Sequence, residues 1–443
     1  MIDAVEGNYL VVRGVAKEVL NLSSFDFFGF SQNETMRVAA RQALEKYGCG
    51  SCGPRGFYGT IDQHLMIEDA IANFMGTEQA ISYSDGASTV SSTIPAFAKK
   101  GDLLLVDEAV SEPIRMGLKL SRSTVQFFKH NDMDDLEALM QDIADDDVRR
   151  KRNVTEQRRF VVVEGLYRNT GDLCPLSEIV ELKERFCYRL IVDESLSFGT
   201  IGPTGRGVTE HYGIDIGRVE ILTVAMDTAL ASVGGLCVGT REIVDHQRLS
   251  GAGYCFSASS PPFLSAVACT SLATIEQNPK LLQTLAKNAQ QLHKGLSAIK
   301  GVSLLSAEPT PVMHIVLDPP PASFEAEAAA MMELARNCVL RGVGVTASKN
   351  SIADDSLAGD VTVRSGRGRR DTYRTNAGDT GPSYVQPSLR VCASATLSSK
   401  EITFALGEIK KEVAAVLATI NDIAAPAPPS RGRSPKSTRK SAR

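Results

Sequence analysis

The sequence predicts an α/β protein, with a mostly parallel sheet in a large domain and a smaller C-terminal α+β domain. Short runs of apolar or β-branched residues recur along the chain, among them "DLLLVDE", "RRFVVVEG" and "YRLIVDES". Amphipathic segments such as "LSEIVELKERF" separate them, which is typical of parallel strands covered by helices on both faces. Near residue 295 the pattern changes to "PVMHIVLD" followed by the helix-like "AEAAAMMELARNCVL", which indicates the second domain.

Composition and charge narrow the class of protein. At 443 residues, 43% hydrophobic and 23% charged, the chain is long enough for a large core and two packed domains. The net charge of −4 predicts no nucleic-acid surface on the body of the protein. No run approaches the roughly 20 apolar residues of a membrane-spanning helix. Nine scattered cysteines are typical of reduced thiols rather than of a disulfide framework.

Residues 1–59 are predicted to form an N-terminal arm and a glycine-rich interface loop. The arm opens with two β-rich stretches separated by Gly14. Ser31 and Glu34 then have the spacing of a capping box, which predicts the start of a helix that ends at Gly48.

Three further segments follow from composition. Residues 60–295 are predicted to form the large domain, and residues 296–423 the small one. Within the small domain, residues of about 354–384 are polar and glycine-rich, so we expect a flexible insertion. Residues 424–443 are expected to be a disordered basic tail, since "SRGRSPKSTRKSAR" carries six Lys and Arg and no acid. A solvated tail is the simplest interpretation, and contact with anionic lipid headgroups is the alternative.

Two places combine a predicted strand end with groups suited to a ligand. Asp193 ends the strand "YRLIVD", and the carboxyl ends of parallel strands face the crevice where α/β proteins bind ligands. Gly86, Ala87 and Ser88 follow another strand and open a helical stretch, so their backbone N–H groups suit a phosphate. Taken alone, a solvated acid explains the first place and a plain helix cap explains the second.

The loop "GSCGPRGFYG" repeats glycine every three residues from Gly50 to Gly59. Such a loop can bring its backbone close to a ligand or a partner subunit, with Arg55 available for an anion. A plain surface loop is the alternative, but Phe57 and Tyr58 favour a buried interface.

The sequence predicts no metal site. Cys49 and Cys52 form a single C-x-x-C with no second pair and no histidine at ligand spacing, so we interpret them as two small loop residues. The six histidines show no metal-binding spacing either and are expected to be structural: His64, His130, His211, His246, His293 and His314.

The chain resembles the α-oxoamine synthase family of pyridoxal-phosphate enzymes. The resemblance rests on "YGCGSCGPRGFYGTIDQHLMIEDAIANFM", "FFKHNDMDDLEALM", "RRFVVVEGLYRNTGDLCPLSEIVELK", "VDESLSFGTIGPTGRGVTEHYGI" and "DHQRLSGAGYCFSASSPP", which are spread over residues 47–262. It implies a fold-type-I transferase with active sites at a dimer interface. It also implies the condensation of L-serine with palmitoyl-CoA to 3-ketosphinganine, in sphingolipid biosynthesis.

The chemistry of this family needs a lysine for a Schiff base, a carboxylate for the pyridine nitrogen and a ring over the cofactor. The resemblance places Asp193 at the carboxylate position. It places Thr228 at the lysine position, and Ser111 and Leu196 at two positions where active members carry histidine. Arg390, in "PSLRVCASA", matches the position that binds a substrate carboxylate.

A threonine cannot form an imine, and no lysine occurs between Lys183 and Lys280, so this chain alone is expected to be inactive. The resemblance implies a heterodimer whose catalytic subunit binds pyridoxal phosphate covalently and shares its L-serine and palmitoyl-CoA site. Arg55, Phe57 and Tyr58 are the residues that we expect to contribute to the partner's site. Small regulatory subunits are also implied. The alternatives are an autonomous α-oxoamine synthase homodimer and a binding-only regulatory scaffold.

The resemblance further implies a place at the cytosolic face of the endoplasmic reticulum membrane. Related subunits carry an N-terminal hydrophobic segment, which this sequence does not show before its first strand. Either that anchor has been lost or the sequence begins at an internal methionine. We expect partners to hold the chain at the membrane.

Overall fold

The computed structural model describes residues 1–321, 323–348 and 386–424, with side chains to residue 420. The strands are β1 Ile2–Glu6, β2 Tyr9–Val12, β3 Val19–Asn21, β4 Gln79–Tyr83, β5 Leu103–Asp107, β6 Thr124–Phe128, β7 Arg159–Glu164, β8 Arg189–Asp193, β9 Ile221–Ala225, β10 Gly235–Gly239, β11 Val302–Leu304, β12 Val312–Leu317, β13 Val343–Gly344, β14 Thr346–Ser348 and β15 Ser388–Cys392. The α-helices are α1 Glu34–Tyr47, α2 Asp62–Met75, α3 Gly86–Phe97, α4 Glu112–Ser121, α5 Met133–Arg150, α6 Leu176–Arg185, α7 Val208–Tyr212, α8 Arg241–Ser250, α9 Ala252–Cys255, α10 Pro262–Gln277, α11 Lys280–Ser297, α12 Phe324–Leu340 and α13 Ser399–Ala424. The predicted insertion at 354–384, and the predicted tail beyond Ala424, lie outside the described residues.

The large sheet carries the candidate site. Its seven strands lie in the order β4-β10-β9-β8-β7-β5-β6, and all of them run in one direction except β10. Every residue of β5 and of β7 is buried, so both faces of the sheet are covered at its centre. The predicted mostly parallel sheet is confirmed.

Helix α1 begins differently from the prediction. Its N-cap is Asn33, whose side chain accepts a hydrogen bond from the backbone N–H of Thr35 at 2.8 Å. The predicted capping box is therefore wrong, because the Ser31 hydroxyl donates instead to the carboxylate of Asp26. The predicted end is confirmed at Gly48, whose φ of 77° suits glycine.

Two smaller sheets complete the fold. One has the order β11-β12-β15-β14, and the other the order β1-β2-β3-β13. In the latter, β3 from the N-terminal arm pairs in parallel with β13, so that Leu20 lies opposite Val343. The backbone N–H of Leu22 also donates to the carbonyl oxygen of Gly344 at 2.9 Å. The N-terminal arm is therefore hydrogen-bonded to the C-terminal part of the chain, and the division into domains stays a prediction.

Within the described residues, none of the helices combines the length and the apolar character that crossing a membrane requires.

Candidate functional site

Asp193 lies at the carboxyl end of β8, at the edge of the large sheet where ligands were expected. Its Oδ1 atom accepts hydrogen bonds from the backbone N–H and the hydroxyl of Ser195, at 3.2 and 2.5 Å. The hydroxyl of Thr223 donates to the same atom at 3.0 Å. Burial nevertheless raises the pKa of Asp193 above its ordinary value, because an ionised carboxylate loses its hydration there.

Thr228, at the expected lysine position, contacts the segment that follows Asp193. Its hydroxyl donates to the carbonyl oxygen of Ser195 at 2.8 Å, and only 1% of the residue is exposed. Leu196 follows Ser195 and is 2% exposed. The structure therefore gathers these three predicted residues around one short segment that follows β8.

Ser111 is hydrogen-bonded to an acidic residue, Glu164, at the same edge of the sheet. It is the N-cap residue of α4, and its backbone N–H donates to Oε1 of Glu164. Glu164 ends β7 and lies opposite Asp193 in the strand register. Burial, together with the charge of Asp193, raises the pKa of Glu164 to about 7. Two acids thus occupy the carboxyl ends of neighbouring strands.

The predicted phosphate position is already capped by the chain itself. Helix α3 begins at Gly86, as expected, but its N-cap is Asp85, whose Oδ1 accepts from the backbone N–H of Ser88 at 2.9 Å. A second carboxylate lies beside it, because Oδ1 of Asp227 would be 3.1 Å from a Cβ added to Gly86. An anion at this helix start would meet two negative charges.

The residues present do not fit pyridoxal phosphate as a bound group of this chain. Asp193 suits the pyridine nitrogen, but Thr228 has no amine for an imine. The preceding lysine in the sequence, Lys183, is no substitute, because its Nζ atom lies 2.8 Å from Oε1 of Glu220 in an ion pair. At the predicted phosphate position, Asp85 already accepts from one of the three backbone N–H groups, that of Ser88.

Arg390 and a second arginine, Arg168, contact the same phenylalanine ring, and Arg168 was not predicted from the sequence. The guanidinium carbon atoms of Arg390 and Arg168 lie 4.4 and 4.8 Å from the centre of the Phe25 ring. Arg390 also donates to the carbonyl oxygen of Ser23 at 3.1 Å, whereas its buried Nε atom has no hydrogen-bond partner. Arg168 lies four residues after the carboxyl end of β7. This position was the signal in the sequence, because the carboxyl ends of parallel strands face the ligand-binding crevice.

The glycine-rich loop has a buried base and an exposed tip. Arg55 is 6% exposed and points inward, where it donates to both carboxylate oxygens of Glu68 at 2.7 and 3.0 Å. Phe57 and Tyr58 are 79% and 77% exposed. The contribution of all three to a partner's site stays a prediction, and the two aromatic residues are the ones that a partner can reach.

Ser259 fixes the base of this loop. Its backbone N–H donates to the carbonyl oxygen of Gly53 at 2.9 Å, and its hydroxyl contacts the carbonyl oxygen of Gly59. Ser51 donates to the carbonyl oxygen of Ser259 at 2.8 Å. Glycine is required at 59, because a Cβ there would overlap the carbonyl oxygen of Gly53.

In the part of the chain that the structure describes, no group of three or more His, Cys, Asp and Glu side chains is placed to hold a metal ion. Cys49 and Cys52 are exposed free thiols. The ring of His211 packs against that of Tyr212. The other five histidines contact protein oxygen atoms: His64, His130, His246, His293 and His314.

The family model for aminotransferases of class I and II matches residues 17–409. Long chain base biosynthesis protein 1 of Arabidopsis thaliana is 44% identical over 355 residues, which are 80% of this chain and 72% of that protein. Serine palmitoyltransferase 1 of Saccharomyces cerevisiae is 33% identical over 414 residues, 90% of this chain and 73% of that protein. A solved serine palmitoyltransferase from S. paucimobilis with bound PLP–myriocin aldimine superposes with a TM-score of 0.79 at 25% identity, covering 94% of this chain and 93% of the other. The predicted pyridoxal-phosphate transferase fold is confirmed.

Proposed function

Because the chain belongs to the aminotransferase class I and II family, we propose that it is the non-catalytic subunit, long-chain-base subunit 1, of a serine palmitoyltransferase. It is a serine palmitoyltransferase homologue that serves sphingolipid biosynthesis, in the reaction that joins L-serine and palmitoyl-CoA. In this proposal its partner is the catalytic long-chain-base subunit 2, which carries the reactive lysine. Small regulatory subunits would join the pair.

One observation carries the proposal that this chain is not the catalytic one. Thr228 stands at the lysine position, is 1% exposed, and already donates its hydroxyl to Ser195. A hydroxyl so engaged in a buried site can neither form an imine nor take up a proton as an amine does. Ser111 and Leu196 supply no ring that could pack over or contact the cofactor. The chemistry must therefore come from a second chain.

The partner is proposed to hold pyridoxal phosphate covalently, while this chain completes the partner's site. The loop that contains Phe57 and Tyr58 supports this role, because a rigid base with two exposed aromatic side chains is suited to an interface. L-serine and palmitoyl-CoA would bind at the shared site. When bound, the pyridinium ring of the cofactor would supply the electron sink that the condensation requires.

The two alternatives make different demands on the chain. An autonomous homodimer needs a lysine at the site, and the ion pair of Lys183 with Glu220 argues against a displaced one. A binding-only scaffold needs no contribution to the partner's site, so changes at the exposed loop tip would leave the partner's activity intact.

Purification of the chain alone and in complex with the lysine-bearing partner tests the proposal. Borohydride reduction should attach the cofactor to the partner and leave this chain unlabelled in mass spectrometry. The chain alone should show no absorbance at the imine band and no synthase activity, and co-expression should restore activity. Cofactor trapped on this chain in either preparation would refute the non-catalytic assignment.

The location at the cytosolic face of the endoplasmic reticulum also belongs to this proposal. Membrane flotation of the chain with and without its partner tests it. We expect the chain to float with membranes only when the partner is present.

A further inference from the structure

The start of helix α3 carries two acids that the proposed function does not explain. Asp85 is the N-cap residue, and its Oδ1 accepts from the backbone N–H of Ser88 at 2.9 Å. Asp227 approaches from the loop after β9, and its Oδ1 lies against Gly86, the first residue of the helix. The two acids come from segments more than 100 residues apart in sequence, and the fold brings them to one helix end.

This helix end is the place where an anion would otherwise be favoured. The first N–H groups of an α-helix have no partner within the helix and carry a partial positive charge. The twelve residues of α3 are long enough for this effect, and the helix follows β4 at the edge of the large sheet. A phosphate group bound there would compete with Asp85 for one of these N–H groups, that of Ser88.

The negative charges of Asp85 and Asp227 are a second obstacle to phosphate binding, besides the competition for the N–H group of Ser88. A phosphate monoester carries between one and two negative charges near neutral pH, so it would be repelled by both carboxylates. Loss of hydration has the largest influence on the pKa of Asp227 and raises it; the charge of Asp85 adds a smaller contribution in the same direction, and Arg168 acts in the opposite direction. The two carboxylates therefore make this helix end less favourable for a phosphate group.

We propose that Asp85 and Asp227 exclude phosphate-bearing cofactors from this chain, independently of the missing lysine. This inference rests on the proposed function and deepens it. Loss of the lysine prevents the covalent bond, whereas the two acids prevent non-covalent capture of the phosphate group. In the proposed heterodimer, pyridoxal phosphate would then bind to the partner's site without competition from the site of this chain.

Two substitutions at position 85 distinguish the effect of the occupied N–H group from the effect of the negative charge. Asp85→Asn keeps an oxygen that can cap the helix and removes the charge, whereas Asp85→Gly removes both at a small cost in helix stability. Each is combined with Asp227→Asn in the full-length chain. The probe is pyridoxine 5′-phosphate, which has no aldehyde and cannot form an imine, and its matched control ligand is pyridoxine.

Isothermal titration calorimetry gives the affinities. The Asp85→Gly/Asp227→Asn chain should bind pyridoxine 5′-phosphate at least tenfold more tightly than the unaltered chain, and the Asp85→Asn/Asp227→Asn chain should lie between them. Binding of pyridoxine should not change. The control Asp132→Gly removes an equivalent cap from α5, where Asp132 accepts from the N–H of Asp135 at 2.9 Å, and should gain nothing.

The inference fails if the unaltered chain binds the phosphate probe as tightly as the double variants do. It also fails if the double variants, shown to be folded by their thermal unfolding, gain no affinity, or if Asp132→Gly gains as much. None of these outcomes touches the proposed function, which is judged separately by borohydride labelling and by activation of the partner. Trapped cofactor on the unaltered chain would instead refute the proposed function.

Discussion

Arg55 and Glu68 form an ion pair inside the chain, with side chains that are only 4% and 6% exposed. Two hydrogen bonds join them, at 2.7 and 3.0 Å, and Arg55 also donates to the hydroxyl of Thr60 at 3.0 Å. The glycine-rich loop is therefore attached to helix α2 by a guanidinium group that points away from the exposed loop tip. Its first role is to hold the loop.

We expect Arg55→Ala to lower the free energy of unfolding by about 3–5 kcal/mol, because the substitution leaves the carboxylate of Glu68 buried without its cation. Urea unfolding of the purified chain measures this. The matched control is Arg13→Ala, which removes an ion pair to Asp3 that is also 2.7 Å long but exposed. That control should cost less than about 1 kcal/mol. Equal losses of unfolding free energy in the two variants would show that burial does not increase the contribution of the Arg55–Glu68 ion pair to stability.

Two glycines of the loop should respond differently to the same substitution. A Cβ on Gly59 would overlap the carbonyl oxygen of Gly53, whereas a Cβ on Gly56 would meet no atom within 4 Å. We expect Gly59→Ala to detach the loop from Ser259 and to speed proteolysis within residues 50–60, while Gly56→Ala behaves like the unaltered chain. Limited trypsin digestion followed by mass spectrometry measures the difference. Equal protection of both variants would contradict the close approach at Gly59.

Phe57 and Tyr58 should matter to the complex and not to the chain alone. Both are more than three-quarters exposed, so the Phe57→Ala/Tyr58→Ala chain should unfold within about 1 kcal/mol of the unaltered one. In complex with the lysine-bearing partner it should lose at least tenfold in synthase activity or in affinity for the partner. Val148→Ala, at a position that is 80% exposed on α5, is the control and should lose neither. Unchanged activity and assembly of the double variant would instead favour the binding-only alternative.

His130 should give the chain a stability that depends on pH. Its Nδ1 atom lies 2.9 Å from Asp107 and its Nε2 atom 3.2 Å from Asp172. Burial alone would lower the pKa of His130, but the two carboxylates prevail and raise it to about 9. In the unfolded chain the pKa of histidine is about 6.5. A raised pKa stabilises the fold fully below about pH 6.5, and this stabilisation is lost as the pH rises to about 9.

We therefore expect the free energy of unfolding to fall by an amount on the order of 2 kcal/mol between pH 6.5 and 9, and His130→Gln to remove most of this dependence. Urea unfolding across this range measures it. His293→Gln is the control, since Nε2 of His293 contacts the backbone carbonyl oxygen of Ser306 at 3.2 Å. If His130→Gln keeps the full pH profile, another group is responsible.

The large sheet could be predicted because its central strands are continuous apolar runs, which few other structures tolerate. Strand β10, "GLCVG", escaped prediction because it is short, starts and ends with glycine and reverses the direction of the sheet. The capping box failed for a different reason. Asn33 lies closer to the start of α1 than Ser31 does, and either residue type can cap a helix.

The site was predictable where it follows strand ends. The segments that follow Asp193 and carry Thr228 meet at Ser195, because β8 and β9 are parallel neighbours whose carboxyl ends lie side by side. Asp85 was missed although it precedes the helix at the usual N-cap position, which was the signal available in "SDGAS". The burial of Arg55 could not be foreseen, because it depends on where α2 brings Glu68, and the sequence does not specify that packing.

The pairing of β3 with β13 has a consequence for how the protein is made. Leu20 is synthesised more than 300 residues before Val343, its partner across the sheet. At about 5–20 residues per second, the ribosome needs roughly 15–65 s to supply that partner. During this interval the strand that completes the N-terminal sheet is missing. The apolar residues Leu10, Leu20 and Leu22, which are buried in the finished fold, therefore lack part of their cover. The nascent chain therefore passes through a stage at which a chaperone has apolar N-terminal residues to bind.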